Sequence, residues 1–212
     1  LKFGGTSVGT IKKIKRVAKI IIGYKEKNYK VIVVSSAMSG VTNELIKKSF
    51  EISDSFSESE HDVLVSSGEQ VACSLIAGRL IHEGYEARSW LSWQIPILTK
   101  GKYKNSRINQ INKVNIIKYL KKGGIPIITG FQGLNDENRI TTIGRGGSDA
   151  SAIMIAKFFK AERCIIYTDV EGVYTTDPNK LKNAKKIKVI SYEEMLEMAS
   201  LGAKVMQPVS IQ

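Results

Sequence analysis

The sequence predicts an α/β fold built on a mainly parallel sheet with helices on both faces. Three observations carry this. Apolar runs of strand length alternate with segments of helical apolar spacing along the 212 residues. The runs at 31–34 and 125–129 show no in-out alternation, as expected of strands covered on both sides. Loops after several strands, at 4–9, 35–42, 130–133 and 168–177, gather Gly, Ser, Thr and charged residues. In such a sheet, ligands sit in the crevice at the carboxyl ends of the strands.

The elements follow in order. Residues 1–3 read as the end of a strand, and 4–9 as a small-residue loop. Over 10–28, Ile11, Ile14, Val17, Ala18, Ile21 and Ile22 recur at helical spacing, leaving Lys12, Lys13, Lys15 and Lys19 on the polar face. A strand at 31–34, a loop at 35–40 and a helix at about 43–52 come next. Residues 53–60 are polar; Ser57 and Glu60 fit a capping box for a helix to Glu83, with 66–68 as the place for an interruption. Residues 87–90 suggest a strand, 95–110 short strands or a hairpin, and 111–121 a helix stopped by Gly123 and Gly124. After the strand at 125–129, residues 131–142 read as a hairpin or flap with 135–138 at its tip. Ser148 or Asp149 is the expected cap of a helix to Phe159. A strand at 164–168, a turn-rich loop at 169–180, and a helix opened by Ser191 and Glu194 and running to about Leu201 complete the reading.

Composition bounds the function. With 42% hydrophobic and 25% charged residues the chain is globular rather than disordered or fibrous. No apolar run approaches the roughly 20 residues that span a bilayer. The net charge of +12 suits an anionic ligand, but no basic tail and no aromatic-basic ladder point to nucleic acid. Cys73 and Cys164 lie in apolar segments far apart and read as reduced core residues of a cytoplasmic protein. His61 and His82 lack partners at zinc or triad spacing.

Five segments carry chemistry. Lys2 precedes Gly4 and Gly5, whose backbone can approach an anion closely before a helix N-terminus. Lysine adds a point charge for a phosphate. Residues 141–149 place Arg145, Ser148 and Asp149 around glycines before a helix; Arg suits a carboxylate or phosphate, and Asp149 suits either Mg²⁺ or Lys2. At 66–69, Glu69 beside small residues suits a ligand ammonium, or simply a solvated helix face. Residues 167–178 offer acceptors and aromatics for a nucleoside, although Asp, Gly and Pro also make turns. Lys204 follows a predicted helix end. Neither a Walker A loop nor a GxGxxG fingerprint is present.

Taken in order, these segments resemble the catalytic domain of the aspartate kinases, in the amino acid kinase family. The matching stretches are KFGGTSVG at 2–9, SAMSGVTN at 36–43, SSGEQ at 66–70, GFQG at 130–133, TTIGRGGSD at 141–149, YTDVEGVYTTDP at 167–178 and GAKVMQP at 202–208. The resemblance implies a three-layer αβα sandwich around a mostly parallel central sheet of about eight strands, spanning residues 1–212 as one catalytic domain. It implies transfer of the γ-phosphoryl of MgATP to the side-chain carboxylate of L-aspartate, the first step towards lysine, threonine and methionine.

By the same resemblance, Lys2 bridges phosphate oxygens, Gly4 and Gly5 offer N–H groups to the phosphates, and Asp149 organises Lys2 or the metal region. Arg145, helped by Ser148, clamps the substrate α-carboxylate, and Glu69 takes its α-ammonium. Ser36 and Thr42 line the same pocket. Thr168, Asp169 and Tyr174 hold the nucleoside, and Lys204 reaches the ATP side. ATP and Mg²⁺ are the expected cofactors, the longer family members are expected to be homodimers, and no nucleic-acid or membrane partner is expected.

Departures from the family pattern are Asn179, where Arg is frequent, and Met206-Gln207, where Leu-His is frequent. The ACT regulatory domains of many members are absent from these 212 residues, so feedback inhibition is not expected of this chain, whether it is a fragment or naturally short. Two other readings stay open on the residues alone: a kinase of the same fold for another small acceptor, and a catalytically silent nucleotide- or amino-acid-binding chain.

Overall fold

A computed structural model describes residues 1–144, 146–168, 175, 181, 183–185 and 187. Among them, five strands make a wholly parallel sheet: β1 (Lys2–Phe3), β2 (Val33–Ser35), β3 (Ala87–Trp90), β6 (Ile125–Thr129) and β9 (Ile166–Tyr167), in the order β3-β6-β2-β1-β9. Successive residues of its inner strands serve opposite faces, because side chains alternate along a strand. Phe3, Val33 and Ile127 pack with Ile14, Val17 and Ile21 of α2 (Ile11–Glu26) and with Cys73, Ile76 and Leu80 of α4 (Glu58–His82). Val34 and Ile128 face the other way, onto Ile116 of α5 (Val114–Lys121) and Ala152 and Ile155 of α6 (Gly147–Phe159). Helices thus cover both faces, as the uninterrupted apolar strands require.

The expected central sheet of about eight strands is divided. Four further strands, β4 (Ile97–Lys102), β5 (Asn105–Ile111), β7 (Gln132–Leu134) and β8 (Ile140–Thr142), form a separate sheet in the order β5-β4-β7-β8. The stretch 95–110 is therefore a true hairpin, and its end at Ile111 delays α5 to Val114. The β7–β8 hairpin matches the flap read at 131–142.

Other expectations need correction. The helix α4 runs unbroken through 66–68, because the Ser66 and Ser67 hydroxyls donate to the carbonyls of Val63 and Leu64 at 2.8 and 2.7 Å and need no break in the turn. The capping box is not formed: Ser57 Oγ pairs with Ser59 Oγ, and Glu60 pairs with Arg139. The N-cap of α6 is Gly146, in the left-handed region at φ 71°, so Ser148 and Asp149 occupy the first turn instead. Cys164 is exposed, because it precedes the two-residue β9 instead of lying within it; Cys73 is buried as expected. The loop at 169–180 falls almost wholly, and the helix expected from Ser191 to Leu201 entirely, outside the described residues. No helix among the described residues is long and apolar enough to cross a membrane.

Candidate active site

The carboxyl ends of β1, β2 and β6 open onto one crevice, and glycines let its walls close up. The loop after β2 and the middle of α4 meet at Gly68, where an added Cβ would stand 2.7 Å from the Ala37 Cβ. That contact brings Glu69 to the loop, and its Oε1 accepts the Ala37 N–H at 3.0 Å. Replacing Gly68 by Val is expected to push α4 off the loop and cost about 1–3 kcal/mol, read from the urea midpoint, because a packed interior resists added methylenes.

Lys2 is buried at the start of β1, and its Nζ lies 2.5 Å from Asp149 Oδ1 in the first turn of α6. The ammonium also lies 3.5 Å from where a side chain on Gly4 would begin, so it sits over the backbone of the glycine turn. A cation and a carboxylate held together at a helix N-terminus make a preset charge environment for an incoming phosphate.

The Gly4 N–H, expected to offer itself to a phosphate, is already engaged. It bonds Tyr167 O at 3.0 Å, extending the β1–β9 ladder by one residue. The N–H groups of Gly5 and Thr6, which open α1 (Gly5–Val8), have no acceptor within that helix.

Glu69 is buried, with one oxygen on Ala37 and the other, Oε2, without a hydrogen-bond partner. Burial pushes its carboxyl up to about 8, against the opposing pull of the Ala37 N–H. A buried carboxyl with an unmatched oxygen is a socket for a cation. Cys73, one turn on, has its thiol pushed upward by burial and by Glu69, so it packs as an inert core group.

The other expected residues distribute as follows. Ser36 is half-buried after β2, its N–H on Phe3 O; Thr42 is half-buried at the start of α3 (Val41–Ile52). Ser148 is buried in the first turn of α6, its Cβ 3.1 Å from where a side chain on Gly130 would begin. Thr168 follows β9 and is exposed. Arg145, Asp169, Tyr174 and Lys204 lie outside the described residues. A cavity of about 860 Å³ lies at the opposite end of the sheet, lined by Leu1, Val31, Ile117 and Phe158 among others, and none of the expected residues among the described ones lines it.

Two features of the crevice were not singled out from the sequence. Phe131, after Gly130, adopts φ 68° and is held there by donating to Ser151 Oγ and accepting from the Ile143 N–H, both at 2.9 Å. A left-handed backbone at a bulky residue is uncommon and costly, and clusters at sites of function. Asp62 is wholly buried on α4 beneath β8. Its signal was hidden among acidic neighbours in SESEHD.

Among the described residues, no three Asp, Glu, His or Cys side chains gather into a metal cage. Asp149, in the first turn of α6, has one oxygen on Lys2. That donor set fits Mg²⁺ carried chiefly by nucleotide phosphates.

A parallel sheet between helices, with a lysine-carboxylate pair and a glycine turn at its carboxyl edge, is the α/β architecture that suits an anionic ligand in the crevice. The chain belongs to the amino acid kinase family, whose model matches residues 1–212. It is 51% identical over 214 residues to an aspartokinase of Rickettsia felis, covering 100% of this chain and 53% of that relative. Aspartokinase 2 of Bacillus subtilis is 47% identical over 211 residues, with 100% and 52% covered. The chain thus spans about half the length of the curated relatives it matches. In structure it resembles E. coli aspartokinase III in complex with aspartate and ADP, at a TM-score of 0.86 and 28% identity, covering 99% of this chain and 57% of that one.

Proposed function

We propose that the chain is the catalytic part of an aspartate kinase, moving the γ-phosphoryl of ATP to the side-chain carboxylate of L-aspartate. The observation that carries this is the pairing of two sockets in one crevice: Lys2 on Asp149 over the glycine turn, and Glu69 buried with an unmatched oxygen. The first suits a transferring phosphate, and the second an amino-acid ammonium. The identity to aspartokinases over the whole chain supports the choice of acceptor.

In this reading Glu69 takes the α-ammonium of aspartate. Arg145, with Ser148, takes the α-carboxylate, while Ser36 and Thr42 border the pocket. An ionised side-chain oxygen of aspartate bonds to the γ-phosphorus as the bond from the γ-phosphorus to the bridging oxygen breaks, and ADP leaves with that electron pair. No proton need move. Lys2 follows the charge on the transferring group, held in place by Asp149, with the Gly5 and Thr6 N–H groups on the phosphates. Thr168, Asp169 and Tyr174 hold the nucleoside, and Lys204 the ATP side. Mg²⁺ on the phosphates supplies charge neutralisation for the departing diphosphate. The product is 4-phospho-L-aspartate, for the synthesis of lysine, threonine and methionine in the cytoplasm, and the longer members of the family are homodimers.

The test is ADP release over a panel of acceptors. Aspartate supports turnover at saturating ATP; glutamate, N-acetylglutamate and UMP each support it about tenfold less well or worse, since even one added methylene costs a fitted pocket that much. Equal turnover with any of these would sink the assignment. ATP binding without turnover on any acceptor would favour a silent binding chain.

A further inference from the structure

Asp62 has no place in the chemistry above, yet it ties α4, which carries Glu69, to β8 and to the turn of the β4–β5 hairpin. It lies on α4 and is 0% exposed. Its Oδ2 accepts the N–H groups of Lys104, at 2.9 Å, and Thr142, at 2.7 Å. Its Oδ1 accepts the Thr142 hydroxyl at 2.8 Å, with His61 Nδ1 farther off at 3.5 Å. A wholly buried carboxylate is tolerated only when hydrogen-bonded in this way. The ion pairs around it, Glu58 with Lys104 and Glu60 with Arg139, are partly exposed and contribute little.

Its partners are specific. Lys104 is in the turn of the β4–β5 hairpin, and its carbonyl would stand 3.0 Å from a Cβ placed on Gly144. Thr142 ends β8, and its carbonyl accepts the Ser106 hydroxyl at 2.9 Å. Asp62 therefore grips both the strand that leads into Gly144 and the turn packed against it. In sequence, Arg145 follows directly. Glu69 lies seven residues along the same unbroken helix, about 10 Å away at 1.5 Å rise per residue and on the same face.

We propose that Asp62 is a positioning residue that sets the spacing between Glu69 and the end of β8 with Gly144, and so between the ammonium grip on an amino-acid substrate and the first turn of α6 that carries Ser148. The inference rests on the acceptor-site reading above. Asp62→Ala leaves the buried Thr142 N–H and the partly buried Lys104 N–H without an acceptor, so the segment after β8 shifts towards water. Asp62→Asn keeps an oxygen for both N–H groups and offers an amide donor to the Thr142 hydroxyl.

The experiment pairs steady-state kinetics with hydrogen exchange on the whole chain. Asp62→Ala raises the aspartate KM about tenfold or more and leaves the ATP KM within about twofold, since a small misplacement is costly only where the shifted groups bind. Asp62→Asn restores the aspartate KM to within about threefold of wild type. Leu80→Ala, a core truncation at the far end of α4, lowers thermal stability without changing the aspartate KM. In Asp62→Ala the amides of Lys104 and of the segment from Thr142 to Asp149 exchange about tenfold faster or more, while those of β2 and β6 do not. An equal KM rise in Leu80→Ala, or unchanged exchange after Thr142, overturns the proposal. If wild type phosphorylates no aspartate, the acceptor-site reading fails, and the exchange arm still decides whether Asp62 positions the segment.

Discussion

Lys2→Met is expected to lower kcat by about 10³-fold while moving either KM by less than about threefold. Phosphoryl transfer offers a protein little covalent work, so the rate depends on charge placed where charge develops. Lys2 is placed in advance: its side chain is 8% exposed, fixed on Asp149 at 2.5 Å and lying over Gly4. The same substitution leaves the Asp149 carboxylate, 15% exposed, without its counter-charge. Removing one partner of a buried pair costs about 3–5 kcal/mol. Rate and stability therefore fall together in the single variant. The double variant Lys2→Met with Asp149→Asn separates them: the urea midpoint recovers and kcat does not. Recovery of kcat in the double variant would contradict a charge role for Lys2.

Glu69→Gln is expected to raise the aspartate KM by about 10²-fold, the scale of a lost charged hydrogen bond. It is also expected to remove a pH dependence. Burial holds the Glu69 carboxyl at about 8, so the ligand-free protein keeps it mostly neutral at pH 7. A substrate ammonium beside it favours the ionised form and lowers that value. Binding then releases a proton. Aspartate affinity rises with pH, by at most about tenfold per pH unit, and levels off above about 8.

The sign for stability runs the other way. The folded value lies above the ordinary 4.5, so the folded chain holds this proton more tightly than the unfolded one. That contribution is fully present below 4.5 and is lost as pH rises through about 8. Calorimetric titration with aspartate in two buffers of different ionisation enthalpy reads the released proton directly. No proton release near pH 7, or release that persists in Glu69→Gln, would remove Glu69 from the ammonium site.

What was legible in the sequence is what depends on local pattern. The apolar spacing of Ile14, Val17 and Ile21 fixes the buried face of α2, and the unbroken run at 125–129 marks β6 as covered on both sides. The glycine turn after Lys2 and the polar residues at strand ends marked the crevice. Features that depend on distant partners were not legible. The splitting of the strands into two sheets rests on β4 pairing with both β5 and β7, which no local run encodes. Ser66 and Ser67 look like helix breakers until their hydroxyls are seen to bond back within the turn. The Gly4 N–H looked free for a phosphate, but Tyr167, 163 residues on, takes it. Asp62 reads as one acid among several, and its meaning comes from Lys104 and Thr142. The opposite holds for Lys2 and Asp149, whose pairing was one of two roles open from the sequence and which the fold sets 2.5 Å apart.

The most direct measurement is trapping of the product. The chain is incubated with MgATP, L-aspartate and hydroxylamine, and the acyl hydroxamate is identified by mass. Formation of aspartyl hydroxamate that requires both ATP and aspartate, and that disappears in Lys2→Met, is the expected result. ATP hydrolysis or binding with no aspartyl hydroxamate, or a hydroxamate that survives the loss of Lys2, would contradict phosphorylation of the aspartate side chain at this crevice.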